Sequence, residues 1–403
     1  MTDQTTESDK QMQMVDWNLE YLAPCFDITS MQIGPSAHIC AAVPNALARV
    51  RWTNFPPAAD ASLGRVATGC GIDAEACRRS GLGEAVELIK SCVWGDEAQI
   101  NATIRSLGSN AVHPDAINGF SSHQQRDRDR INLALTGQDW VPPPVHDDQP
   151  IDWIAAEDAA TGAEVWVPAD TVLIGLREAG DGAAVAVADS NGCACGPTAE
   201  ASKWAAIMEL IERDAAARWW FGGWKGRLLP LTILSAHPAL LNDLQDRTRE
   251  CRLLEITSDL GVPVVVAASF ERDGSVVALG FSAKPDLASA ATCATIEMLA
   301  IETTLPPWRN VTDDPATMTW ITQTNATHAP LSNYVEKDDE VEQRSARGVL
   351  SLDACIEAVL RCNCRVLFVD LCRGDYRSPV FRAISPELCQ IRPRLGKKRL
   401  ARL

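Results

Sequence analysis

The 403-residue chain has no run of 18 or more apolar residues, so it offers no candidate membrane-spanning helix. Positive charge is scarce: 37 Lys and Arg face 53 Asp and Glu, and the net charge of −16 excludes general nucleic-acid binding. Six histidines are scattered, with no HxH or HExxH spacing, so the common zinc-hydrolase arrangement is missing. There is no GxxxxGKS/T phosphate loop, no GxGxxG between strand and helix, and no nucleophile elbow with its Ser, His and Asp. A nucleotide handled by this chain must be held by another device. The beginning, "MTDQTTESDKQMQM", lacks an apolar export core; residues 1–15 read as a flexible tail and the protein as cytoplasmic.

What is present includes fourteen cysteines, which without an export signal read as reduced thiols. The pairs Cys193/Cys195 and Cys362/Cys364 have CxC spacing rather than CxxC, so they read as buried structural thiols and not as a zinc site. The chain closes on "RPRLGKKRLARL", six basic residues with no acid, expected to be a solvated tail over 391–403; docking to an acidic partner is the sharper reading.

A repeat runs through the chain. "GIDAEACRRSGLGEAVELIK", from Gly71, matches "GPTAEASKWAAIMELIERDA", from Gly196, at a constant offset of 125. The register aligns Gly71 with Gly196, Glu84 with Glu209, and Glu87 with Glu212. A weaker third copy, "KPDLASAATCATIEMLAIET", starts at Lys284 and puts Glu297 in line with Glu84 and Glu209. Each copy predicts a turn, an N-cap (Asp73, Thr198 or Asp286) and a long helix.

Helical geometry sorts the faces. Ser80, Glu84, Glu87 and Ser91 share one side of the first helix, against Leu82, Val86 and Ile89. In the second, Glu209, Glu212 and Arg213 share a side with Ala205 and Ala216, against Ile207, Leu210 and Ile211. Two helices therefore each carry carboxylates at i, i+3 beside small residues. Four such oxygen donors suit a hard cation such as Mg²⁺; general acid–base work and ordinary solvated acids are the alternatives.

"GAAVAVADSNG", "GVPVVVAASFE", "SVVALGFSA" and "RVLFVDL" read as strands, the middle pair as a hairpin across "RDG". Strands mixed with long helices predict an α/β (mixed α+β) fold of quasi-repeated strand–helix units around a shared site. One domain is expected over 16–403: an N-terminal part to about 137, an exposed proline-rich connection over 137–150, and a main part over 151–390.

The stretch "SNGCACGPTAEASKWAAIMELIERDAAARWW", Ser190 to Trp220, resembles the most specific motif of the YcaO family, in its azoline-forming cyclodehydratase branch. "SGLGEAVEL" from Ser80, "IDWIAAEDAATGAEVWVPADTVLIG" from Ile151 and "VDLCRGDYRSPVFRAISPEL" also resemble that family, collinearly over roughly 60–390.

The resemblance implies ATP and Mg²⁺. Glu84, Glu87, Glu209 and Glu212 would hold the metal, and Ser80, Ser190, Asn191 and Arg213 would contact the nucleotide. It implies phosphorylation of a peptide backbone amide, with attack by a neighbouring Cys, Ser or Thr, to give thiazoline or oxazoline rings in a ribosomally made peptide antibiotic or bacteriocin. A precursor peptide, a separate leader-recognition protein and a flavin-dependent azoline dehydrogenase are the implied partners. Leu88, Ala300 and Thr304 stand where the family carries Arg, Gln and Arg, and the proline-rich C-terminus usual in azoline formers is replaced by the basic one. Two other expectations follow: peptide thioamidation with a TfuA-like partner, or a non-catalytic scaffold subunit.

Overall fold

The chain forms fourteen strands among the described residues of a computed structural model, which are 19–52, 54–61, 65–133, 137–305, 315–336, 351–373 and 378–401. In chain order they are β1 (Phe26–Ile33), β2 (Ala37–Pro44), β3 (Ala67–Gly71), β4 (Gln99–Thr103), β5 (Pro150–Asp158), β6 (Glu164–Pro168) and β7 (Cys193–Cys195). There follow β8 (Gly226–Leu229), β9 (Glu250–Glu255), β10 (Val264–Phe270), β11 (Ala278–Ala283), β12 (Tyr334–Val335), β13 (Leu367–Asp370) and β14 (Val380–Ile384). They build three sheets, ordered β1-β2-β3, β4-β5-β13-β14-β7 with β6 on β5, and β11-β10-β9-β8-β12. All pairings are antiparallel except β8 with β12. The mixed α/β expectation is met.

Each sheet carries one of the three repeat helices, Ala74–Ser91, Ala199–Trp220 and Leu287–Thr304. The expected N-caps begin them: Asp73, Thr198 and Asp286 accept from the backbone N–H of Ala76, Ala201 and Ser289. The repeat is also spatial. A Cβ on Gly71 would lie 2.4 Å from the Cys77 nitrogen, and one on the aligned Gly196 would lie 2.5 Å from the Ser202 nitrogen. Only glycine lets strand and helix approach so closely.

Leu82, Val86 and Ile89 bury the inner face of the first helix, and Ile207 and Ile211 that of the second. Strand β10 explains its unbroken apolar run. Val264, Val266 and Ala268 fill one core while Val265 and Ala267 fill another. The RDG hairpin forms as expected between β10 and β11.

Several expectations are corrected. "GAAVAVADSNG" is not a strand: its backbone is served by side chains instead of a neighbouring strand, Val185 N–H donating to Asp170 (2.8 Å) and Asn118 donating to the Val185 carbonyl (2.8 Å). The 137–150 connection is not simply exposed, because Val141 and Val145 are buried and Val141 exchanges two hydrogen bonds with Asn132. Nor does it separate two sheets, since β4, before it, pairs with β5, after it. Ser91 and Ala216 are fully buried, off the open faces assigned to them, while Leu210 is only partly buried.

The basic C-terminus is no solvated tail over its described residues. Arg394 and Lys397 are buried, and Arg399 binds Asp214 through two hydrogen bonds of 2.7 and 3.0 Å. Burial pulls the Lys397 ammonium down to about 8. The tail over residues 1–15 lies outside the described residues.

Candidate functional site

The three helices meet because each lies on its own sheet and also touches the next. The first rests on β3 and β2 and reaches β7; the second rests on β14 and β7 and reaches β11; the third rests on β11 and β10 and reaches β2 and β3. Glutamates stitch the first two seams. Glu87 accepts from the Cys195 N–H (2.7 Å), and Glu212 from the Ala283 N–H (3.1 Å). Cys195 and Ala283 each precede an aligned start of the repeat, so the two bonds are equivalent. At the third seam the corresponding position is Ala300, which has no oxygen to offer. Glu297, one helical turn earlier, accepts instead from the Phe281 N–H of its own β11 (2.7 Å).

At the centre stand Glu84, Glu87, Glu209, Glu212 and Glu297 around one guanidinium among the described residues, that of Arg213, which pairs with Glu209 (3.2 Å) and Glu212 (3.1 Å). Burial pushes Glu209 up to about 7 against the pull of Arg213, with repulsion from Glu212 and Glu84 adding to it. Burial and then Glu212 push Glu297 up to about 7. Glu87 rises too, through burial and its neighbour Glu84, opposed by the Cys195 N–H. Glu84 rises through desolvation, with Arg213 opposing. Burial alone would lower Arg213; Glu212, Glu209 and Glu297 outweigh it and hold it up.

Five carboxylates around one cation are short of positive charge, and their all-oxygen donor set fits a hard divalent ion. Among the described residues, no three His, Cys, Asp or Glu side chains are placed to hold an ion by themselves. Three of the glutamates are turned toward strand N–H groups instead. That suits Mg²⁺, which keeps waters and takes phosphate oxygens, better than a metal caged wholly by protein.

Two cavities share the wall formed by Ala188 and Asp189. The larger, about 300 Å³, is lined by Glu84, Glu87, Ser190, Arg65 and Arg392. The smaller, about 70 Å³, takes in Asn191, Arg213, Arg382 and Arg394. Ser190 and Asn191 thus face different cavities, and Ser80 lines neither. Arg382 on β14 fixes the turn between the cavities: it donates to the carbonyls of Asp189, Asn191 and Thr171. Gly192 in that turn has φ +74°, and a Cβ there would meet the Ala383 carbonyl at 2.3 Å.

The sequence reading left out Asp189, Arg65, Arg382, Arg392 and Arg394. Only the basic run hinted at the last two. Glu297 was aligned with Glu84 and Glu209 but not assigned, because its i+3 partner is Ala300. Leu88 lines the larger cavity, and Thr304 is exposed, its hydroxyl donating to the Ile301 carbonyl.

A family model described as YcaO cyclodehydratase, ATP- and Mg²⁺-binding, matches residues 68–389. The chain belongs to the YcaO family. No curated protein matches it. Among solved structures it is similar to a heterocyclase in complex with substrate and cofactor (24% identity, TM-score 0.77, 93% of this chain and 51% of that one). It is also similar to the heterocyclase TruD (26%, 0.68, 80% and 47%). YcaO from Methanopyrus kandleri, bound with AMPPCP and Mg²⁺, has the same fold (18%, 0.58, 90% and 85%). The chain therefore spans about half the length of the two heterocyclases.

Proposed function

We propose that the protein is an ATP-dependent cyclodehydratase acting on peptide backbone amides. The observation that carries this reading is the glutamate cluster at the meeting of three repeat helices, beside a cavity with arginines on its rim, in a chain of an ATP- and Mg²⁺-binding family. Glu84, Glu87, Glu209 and Glu212 would hold Mg²⁺, with Glu297 as a fifth carboxylate beside them. Ser190, Asn191 and Arg213 would contact the nucleotide, with Ser80 one helical turn before Glu84. The bound metal would supply charge neutralisation to the phosphates.

The chemistry explains the need for ATP. A Cys, Ser or Thr side chain adds to the preceding amide carbon, and the former carbonyl oxygen takes the γ-phosphoryl group and leaves as phosphate. The carbon–nitrogen double bond of the azoline forms as it departs, and ADP is the other product. An amide oxygen is a poor leaving group and a phosphate a good one, so the protein's task is positioning and charge stabilisation. A precursor peptide, a separate leader-recognition protein and a flavin-dependent azoline dehydrogenase are the partners this reading expects.

The test is Mg²⁺-dependent ATP binding by calorimetry, followed by the peptide's mass. Glu209→Gln or Glu84→Gln should abolish nucleotide binding and the loss of one water per ring. An unaffected turnover would sink the assignment. A non-catalytic scaffold is the second reading, favoured by Ala300 at the unstitched seam; it predicts no nucleotide-dependent stabilisation, where saturation at a hundred times Kd would add about 2.7 kcal/mol.

A further inference from the structure

We propose that the basic C-terminal segment is a working part of the nucleotide site, with Arg392 as a phosphate-contacting group. The inference rests on the nucleotide reading of the larger cavity and adds a residue set to it. Arg392 lines that cavity together with Glu84, Glu87 and Ser190. Its guanidinium pairs with Asp139 (3.2 Å) and stands 3.6 Å from Asp189, itself a wall residue of both cavities.

The residues that follow Arg392 are anchored to several parts of the fold. Arg399 grips Asp214, which is fully buried on the second repeat helix directly after Glu212 and Arg213. Lys397 donates to the carbonyls of Ala116 (2.8 Å) and Pro386. Gln124 donates to the Pro393 carbonyl (2.7 Å) and accepts from the Leu395 N–H (3.1 Å). Arg394 lies over the Phe120 ring, 4.1 Å from its centroid. Burying two cationic side chains is costly, and a tail with no task would leave them in water.

The charge balance gives the anchoring a purpose. Glu84, Glu87 and Asp189 line the larger cavity, and among the described residues its one cation apart from Arg392 is Arg65, which donates to the Ala58 carbonyl and lies 3.4 Å from Glu178. A polyphosphate entering such a cavity needs a cation besides the metal. Arg392 meets that need: its carboxylate partners hold it in place, and a phosphate can compete for its donors because both pairs are partly solvated.

Calorimetry on the full chain with Mg²⁺ and ATP, ADP or adenosine tests this, using wild type, Arg392→Ala, Arg392→Lys, Asp139→Asn and Glu209→Gln. Arg392→Ala should weaken ATP binding about tenfold or more while leaving adenosine unchanged, and Arg392→Lys should recover part of the loss. Asp139→Asn, which removes one of the carboxylates that compete with phosphate for the guanidinium, should hold or improve ATP affinity. Unchanged ATP binding in Arg392→Ala overturns the proposal while Glu209→Gln still abolishes binding. Equal losses for ATP and adenosine, or an Asp139→Asn defect matching that of Arg392→Ala, also overturn it, since the pair would then be structural. If wild type itself binds no nucleotide, the nucleotide reading fails and this proposal falls with it.

Discussion

Neutralising one glutamate at the centre should stabilise the ligand-free protein at alkaline pH and abolish its response to nucleotide. Glu209 is raised from its ordinary 4.5 to about 7, first by burial. A carboxyl raised in this way keeps its proton in the folded state when the unfolded chain has already lost it. Stability is therefore fully present below about 4.5, falls as pH rises, and levels off above about 7. At about 1.4 kcal/mol per pH unit, the penalty at pH 8 is at most about 3.5 kcal/mol. The Glu209 side chain keeps 23% of its surface exposed and Arg213 lies 3.2 Å away, so the gain from Glu209→Gln should be about 1–3 kcal/mol. Urea melts at pH 5 and pH 8, in chelator, are the assay. The variant should match wild type at pH 5 and exceed it at pH 8. Mg²⁺ with an ATP analogue should then stabilise wild type alone and close or reverse the gap. A Glu209→Gln protein less stable by the same amount at both pH values would refute the electrostatic reasoning, because the carboxylate would then be a simple structural partner.

Three further outcomes follow from the same geometry. Asp214→Ala should destabilise by about 2–4 kcal/mol, because it strips the fully buried acceptor of the Cys389 N–H and of Arg399 while Asp259 keeps part of the arginine charge paired; denaturant midpoints measure it. Gly196→Ala should lower the melting temperature markedly or prevent soluble expression, since the new methyl would sit 2.5 Å from the backbone nitrogen of Ser202 with no flexible atom to yield. Ala300→Glu should add a sixth carboxylate, destabilising the ligand-free protein at pH 8 more than at pH 5, whereas Ala300→Gln should show no such pH dependence in thermal melts.

The parts legible in the sequence were those set by local rules. A helix begins where Asp73, Thr198 or Asp286 can cap it within three residues, and the buried stripes of the first two helices follow helical period. The repeat made the site legible as well, because equal spacing put Glu84 and Glu87 in register with Glu209 and Glu212 before any contact was known. What stayed hidden depends on partners far along the chain. Residues 182–192 have strand-like composition, yet Asp170 and Asn118 supply hydrogen bonds a neighbouring strand would have supplied. No pattern within "RPRLGKKRLARL" announces that Asp214, some 185 positions earlier, waits for Arg399. The i, i+3 criterion that found two glutamate pairs passed over Glu297, because the third copy keeps only the first of its two acids.

That asymmetry bears on how the site works. In the first two repeats the second glutamate ties its helix to the next sheet, so Glu87 and Glu212 stitch seams besides facing the centre. The third helix has no such stitch at Ala300, and Glu297 bonds back to its own strand. Two of the three helices are thus held to the next sheet by groups that metal binding would also claim, whereas on the third Glu297 and Glu302 bond to Phe281 and Ser269 of its own sheet. A ligand that draws Glu87 or Glu212 toward the centre must loosen a seam as it fills the site. Binding and the closeness of the three units are therefore coupled through two hydrogen bonds, Cys195 to Glu87 and Ala283 to Glu212. Hydrogen exchange at Cys195 and Ala283 reads this coupling directly: both amides should exchange faster with Mg²⁺ and nucleotide bound, against the general slowing expected elsewhere, and uniform slowing at both would show that the stitches persist in the loaded site.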